Sequence, residues 1–165
     1  LSMGVLISGI FCTVGVIALA AISTAAAALG MFSFVLYAFV YRPLKRYSTL
    51  AVPVGAIPGA LPTLIAGVAA QNGFTIEALC LFSIQYLWQF PHFWAIAWVA
   101  HKDYSTAGFK LLPADKGPTK FTALQTILYS LLLIPVTLAP FFIGMCSYEG
   151  VNGIISLSLN FGSIT

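Results

Sequence analysis

Three groups of residues in this chain have types and spacings that could do chemistry. Arg42, Lys45 and Arg46 put three cations within five residues, flanked by Tyr41 and Tyr47. Arginine presents a planar fork and lysine a point charge to phosphate oxygens, so the cluster suits a diphosphate head group. The same cluster also reads as a topology signal that touches anionic lipids. Gln85, Gln89 and His92 stand at i, i+4 and i+7, which lines them up as one polar stripe on a helix. Asp103 lies eleven residues past His92 and extends that face if the helix persists. Polar groups in so apolar a segment are costly unless they face a bundle interior or a wet cavity; the plainer reading of His92 is a hydrogen-bonded packing residue. The third group runs from His101 to Lys110 and holds one carboxylate, Asp103, among the cations Lys102 and Lys110. Mg²⁺ takes oxygen ligands and typically bridges one or two carboxylates to substrate phosphates. One aspartate is too few for an all-protein site, and Asp115 beside Lys116 reads as a solvated loop residue.

The elements that must position these groups are set by composition. The 165 residues are 60% hydrophobic and only 7% charged, with a mean hydropathy of +0.99. A soluble domain carries roughly a quarter charged residues, so most of this surface would have nothing to meet water with. That excludes a cytosolic globular domain, a disordered segment and a nucleic-acid-binding module, and identifies an all-α polytopic membrane protein. The cysteines Cys12, Cys80 and Cys146 make neither a metal-ligand spacing nor a disulfide framework; they read as small core residues. The chain starts inside an apolar run with no basic leader or cleavage-site pattern, and it ends in a stretch too short for a span. The expectation is a single membrane domain over residues 1–165, an internal piece of a longer protein and incomplete at both ends.

A span needs about 20 mostly apolar residues. Leu1 to Tyr41 holds no charge and is long enough for two helices, with the turn at Ser23-Thr24. Arg42 to Thr49 reads as a basic loop. A third helix is predicted from about Leu50 to Ala70, bent or broken by Pro53, Pro58 and Pro62. Gln71-Asn72-Gly73 is a turn signal. The fourth helix is predicted from about Thr75 to Ala100, interrupted by Pro91, and His101 to Lys120 is a polar loop. A fifth covers about Phe121 to Met145, and a truncated sixth begins after Asn152-Gly153. In this threading all seven Lys and Arg residues fall on one side, which the positive-inside rule assigns to the cytoplasm or the matrix. The aromatics Tyr86, Trp88, Phe90, Phe93, Trp94 and Trp98 crowd the fourth helix; some must meet lipid, and others suit the wall of a pocket for a flat or isoprenoid ligand.

Four strings occur in order: Tyr41-x-Pro43-Leu44-Lys45-Arg46, Gly55-Ala56-x-Pro58-Gly59-Ala60-x-Pro62, Trp88-Gln89-Phe90-Pro91-His92-Phe93-Trp94 and Asp103-Tyr104-x-x-Ala107-Gly108. Together they resemble the UbiA-type intramembrane prenyltransferases, and the Trp-Gln-x-Pro-His-Phe string resembles the heme O synthase branch. The resemblance implies a partial bundle of that type, five full spans plus a truncated sixth, about helices three to eight of nine. It implies transfer of a farnesyl group from farnesyl diphosphate to a vinyl group of heme B. Under it Lys45, Arg46, His92 and Asp103 are the expected catalytic residues, with Asp103 also a metal ligand. Tyr41, Arg42, Gln85, Gln89, Lys102, Tyr104 and Lys110 are the expected substrate contacts. The implied cofactor is Mg²⁺, its main aspartate-rich site ahead of residue 1, so the piece alone is expected to be inactive. Implied partners are the bilayer and heme A synthase or oxidase assembly factors. Where relatives often carry two carboxylates before the tyrosine, this chain has Lys102-Asp103-Tyr104, which leaves Lys102 as a diphosphate contact. Rival readings are a related aromatic prenyltransferase acting on a quinone precursor, a transporter fragment, and a non-catalytic assembly partner of an oxidase.

Overall fold

The computed structural model describes residues 2–108, 112 and 118–145. The expected sixth span lies outside them, as do Lys110, Asp115, Lys116 and Cys146. Helix α1 (Ser2–Ile22) carries no charge. Its hydroxyls are returned to its own backbone, Ser8 to the Gly4 carbonyl and Thr13 to the Gly9 carbonyl, both at 2.8 Å. This is how a helix carries polar side chains where no water can pair with them. The chain turns at one residue, Ser23, whose extended backbone (φ −155°, ψ 128°) ends α1 and caps α2 (Thr24–Val35).

From α2 the rod runs on through a π-helical turn, Leu36–Tyr41, into α3 (Arg42–Tyr47). The sequence reading of Arg42 to Thr49 as a loop is corrected: the cations sit on a helix. Pro43 accounts for the wide turn ahead of it. Proline has no N–H to give and its ring crowds the carbonyl one turn earlier, a conflict that a wider i→i+5 turn relieves. The Arg42 N–H accordingly bonds the Tyr37 carbonyl, five residues back.

Helix α4 (Ala51–Gln71) stays helical through Pro58 and Pro62, and α5 (Ile76–Val99) stays helical through Pro91. The predicted break in the one and interruption in the other do not occur. Pro53 falls in the first turn of α4, where an N–H has no helical partner anyway. Proline inside a membrane helix is tolerated where neighbouring helices hold it; the Tyr86 hydroxyl of α5, 3.5 Å from the Pro53 carbonyl, ties the two helices together. Between these helices Asn72 adopts the left-handed conformation (φ 52°), and Thr75 caps α5 by accepting the Ala78 N–H at 3.2 Å. A short α6 (His101–Thr106) follows, ending at Gly108 with φ 72°, and α7 (Lys120–Phe142) begins on the Thr119 cap. The polar connection is therefore helical in its first part.

Thr24–Tyr47, Ala51–Gln71 and Lys120–Phe142 are long and apolar enough to cross a membrane. The 24 residues of α5 suffice in length, at about 1.5 Å each for a hydrocarbon core of about 30 Å. Gln85, Gln89, Pro91 and His92 dilute its hydropathy. The helices pack in chain order: α1 on α2, α2 on α4, α4 on α5 and α5 on α7. One buried cluster gathers Tyr41, Ala51, Val52, Ala56, Phe90, Trp94 and Ala97; a second gathers Leu61, Leu64, Val68 and Ala78. The α4–α5 seam depends on Gly67, where a Cβ would lie 2.5 Å from the Ala78 Cβ and 3.1 Å from its Cα. Gly67→Ala should therefore force the helices apart and cost about 1–3 kcal/mol, read as a lowered unfolding temperature in detergent; an unchanged temperature would contradict the seam.

Candidate functional site

Because α4 and α5 run antiparallel, the end of α3, the start of α4 and the end of α5 meet at one end of the bundle. The first cluster records this meeting: Tyr41, Ala51, Trp94 and Ala97 are buried together, with Leu44 of α3 and Tyr104 of α6 packed against them. Helix α3 turns its three cations into a face, since i, i+3 and i+4 are neighbours on a helix surface. Arg42 and Arg46 are exposed and Lys45 is half-buried. They line a hollow of about 430 Å³ with Ala38, Pro43 and Tyr47. Lys102 and Asp103 are exposed on α6 at the same end, outside that hollow, and Tyr104 is half-buried. Packing of Tyr104 and Leu44 against one cluster thus puts the cationic helix and the aspartate-bearing helix at the same end of the bundle. Among the described residues no three His, Cys, Asp or Glu side chains gather to hold a metal. Asp103 offers one carboxylate, so these residues do not by themselves fit a Mg²⁺ site.

Two clefts lie against α5. One, of about 460 Å³, is lined by Tyr37, Tyr41, Gly55, Pro58, Gly59 and Phe93, among others. The second, of about 520 Å³, lies between α4, α5 and α7 and is walled by Tyr86, Phe90, Trp94 and Tyr129, with Thr49 and Gln125 as polar members. Its rings interlock: Tyr129 stands 4.8 Å from Phe90 and, edge-on, 5.1 Å from Trp94. Aromatic pairs at such spacings hold each other in one arrangement. Tyr129 was not foreseen from the sequence; its signal is Gln125 one turn earlier on an otherwise apolar helix.

The polar stripe of α5 is divided. Gln89 is buried, and its amide lies over Gly59, where a Cβ would come within 2.8 Å of the Gln89 Nε2. Gln85 is half-buried, while His92 is exposed and stacks on Trp88 with ring centres 4.4 Å apart and planes 18° apart. The imidazole is therefore held by a ring one turn away and kept open to whatever meets that side of α5. Lys110 lies outside the described residues.

Sequence comparisons give this all-helical membrane bundle its family. The UbiA prenyltransferase family matches residues 1–164, and the chain belongs to that family. Its relatives narrow the class. The chain is 45% identical over 142 residues to the protoheme IX farnesyltransferase of Cytophaga hutchinsonii, covering 86% of this chain and 50% of that protein. It is 43% identical over 135 residues to the protoheme IX farnesyltransferase of Solibacter usitatus (82% and 46%), and 42% identical over 160 residues to that of Christiangramia forsetii (96% and 53%). The chain spans about half the length of the curated relatives it matches. No solved structure matches.

The shared end of the bundle has a direct readout in the whole protein. In a cysteine-free background, Lys45→Cys and Lys102→Cys should react with a membrane-impermeant maleimide from the same side, and Glu77→Cys, at the start of α5, from the other. Labelling of positions 45 and 102 from opposite sides would separate the two helices.

Proposed function

We propose that this chain forms part of a protoheme IX farnesyltransferase, which transfers the farnesyl group of farnesyl diphosphate to a vinyl group of heme B with addition of water, giving heme O and diphosphate. The observation that carries the reading is the cationic face of α3 at the end of a bundle that holds aromatic-walled clefts. The name borne by the relatives agrees with it.

In the proposed reaction the allylic C–O bond breaks and the diphosphate leaves with the electron pair. Arg42, Lys45 and Arg46 meet the charge that grows on the leaving oxygens, and preorganised cations act there at no reorganisation cost. Lys102 and Lys110 are the further cations assigned to diphosphate, and Tyr104 steadies α6. The vinyl π electrons attack the farnesyl cation and form the new C–C bond; water then adds to the resulting porphyrin-side cation and gives up a proton. The apolar clefts suit a C15 chain and limit early capture of the cation by water. Gln85 and Gln89 supply neutral polar contacts that do not react with it. His92 is assigned to orienting heme, through its iron or a propionate, or to the proton of the added water; neutral imidazole is competent for each. Asp103 is the expected carboxylate for Mg²⁺ in this part of the chain. The described residues do not complete such a site.

The described cations Arg42, Lys45, Arg46, Lys102 and Lys120 all stand at one end of the bundle. The positive-inside rule places that end at the cytoplasmic face of a bacterial inner membrane or the matrix face of the mitochondrial inner membrane. Heme A synthase and oxidase assembly factors are the proposed recipients of the product.

Arg46→Ala in the full-length protein should lower heme O formation by about a hundredfold or more, the scale of losing one transition-state charge partner, with membrane insertion intact. Extraction and chromatography of heme O read it, and an undiminished yield would remove the cluster from the mechanism. His92→Ala should weaken heme binding and spare farnesyl diphosphate binding. Normal values for both, with normal turnover, would leave His92 as a packing residue.

A further inference from the structure

The turn that precedes the cations is built in a way that the charge argument alone does not require. A π-helical turn bonds i to i+5, so it takes up one more residue than an α turn. Everything after it is rotated by about 100° relative to an unbroken α-helix. The residues so rotated are Arg42, Lys45 and Arg46. The last residue of the turn, Tyr41, is buried, whereas its neighbours Arg42 and Pro43 are exposed.

The Tyr41 ring fills a notch that exists only because residue 55 has no side chain. A Cβ on Gly55 would lie 2.5 Å from the Tyr41 Cε2, 2.7 Å from Cδ2 and 3.3 Å from Cζ. The Tyr37 ring stands 5.3 Å away by centroids. Val52, Ala56, Phe90 and Trp94 share the cluster with it, as do Leu44 and Tyr104. The ring is thus held on its faces and edge by close packing.

We propose that Tyr41, delivered by the π turn into the notch of Gly55, is a positioning residue that fixes which way the Arg42, Lys45 and Arg46 face points at the substrate diphosphate. The proposal rests on the farnesyl-transfer reading above and deepens it. A cationic face on a helix covers only an arc of the surface, so its use depends on rotation about the helix axis. The helix itself does not fix that rotation. A large flat ring held in a side-chain-sized gap on α4 does. Tyr41 is thereby assigned to holding the cations, and α4 takes part in diphosphate binding without contributing a charge to it.

The test uses the full-length enzyme in membranes, with turnover kinetics for both substrates and direct binding of farnesyl diphosphate in the absence of heme. Gly55→Ala and Tyr41→Leu should each raise the KM and the Kd for farnesyl diphosphate about tenfold, the cost of misplacing a charge-assisted contact. Heme affinity should stay within about twofold under the same argument. Tyr41→Phe, which keeps the ring and drops the hydroxyl, should restore the wild-type values. Gly67→Ala is the matched control: it is equally tight but lies at the far end of α4, and it should lower thermal stability without moving the KM for farnesyl diphosphate. The proposal is overturned if Gly55→Ala and Tyr41→Leu keep wild-type affinity, or if Gly67→Ala raises the KM as much as they do. It is also overturned if Tyr41→Phe is as impaired as Tyr41→Leu, because the hydroxyl would then itself meet substrate. Should Gly55→Ala fail to insert, the Tyr41 pair decides. A wild-type protein that binds farnesyl diphosphate but farnesylates no heme would sink the functional reading while the Kd series still tests the lock; one that binds no prenyl diphosphate overturns both.

Discussion

Helix α4 approaches its neighbours at distances that no side chain would allow, and the rest of the structure depends on that closeness. In a bilayer the lipid tails are as apolar as the helices, so helix association comes from close packing and not from escape from water. Gly55, Gly59 and Gly67 receive Tyr41, the Gln89 amide and Ala78 in turn. Each contact does something different. The Ala78 contact closes the α4–α5 seam at the end away from the cations, the Gln89 contact brings a polar group into that seam, and the Tyr41 contact anchors the rod that carries the cations. Prolines interleave with these glycines, yet α4 remains one helix, because the packing that the glycines permit holds the backbone where Pro58 and Pro62 would loosen it.

The handling of polar groups follows from the same solvent. Hydroxyls along α1, α5 and α7 return their protons to carbonyls of their own helix, as Ser83, Thr126 and Ser130 do at 2.8 Å. They make few demands on the surroundings and carry little information about function. The amide of Gln89 is different: it is buried over Gly59, in the seam between α4 and α5. A carboxamide at such depth is costly unless it is paired or faces a wet cavity, which is why the Gly59–Gln89 contact stands out from the many apolar ones around it.

Much of the helical layout was legible in the sequence because it follows from local chemistry. Ser23 breaks the first apolar run, Asn72 turns the chain through a left-handed residue, and Thr75 caps α5, each by groups that act within a few residues. The helical nature of Arg42–Tyr47 and the persistence of α4 and α5 through their prolines were not legible. Proline rules describe what one residue does to its own helix; the neighbours decide whether the helix yields. The division of Gln89 from His92 was hidden for a related reason. Spacing gives a shared side of α5, but which part of that side meets α4 depends on a glycine some thirty positions away. Tyr129 was passed over because a tyrosine in an apolar helix reads as interfacial until Phe90 and Trp94 are seen against it.

Under the proposed reaction, the distribution of charge along the bundle becomes a condition for the chemistry. A farnesyl cation survives only where water is scarce, whereas a departing diphosphate needs the strongest cationic partners available. Those demands conflict if both groups share one environment, because charged side chains bring their hydration with them. Here they are separated along the helix axis: the described cations stand at one end, and the walls of the clefts beside α5 are mainly rings and aliphatic side chains. The bond that breaks must then lie at the boundary between the two zones. Tyr41 is the residue found there, buried on the apolar side and covalently followed by the first arginine. A change that moved this boundary by one helical residue would move the cations by about 1.5 Å along the axis and about 100° around it. Rotation is the larger disturbance. A site of this design is therefore more sensitive to the pitch of the turn before Arg42 than to the identity of any single apolar wall residue.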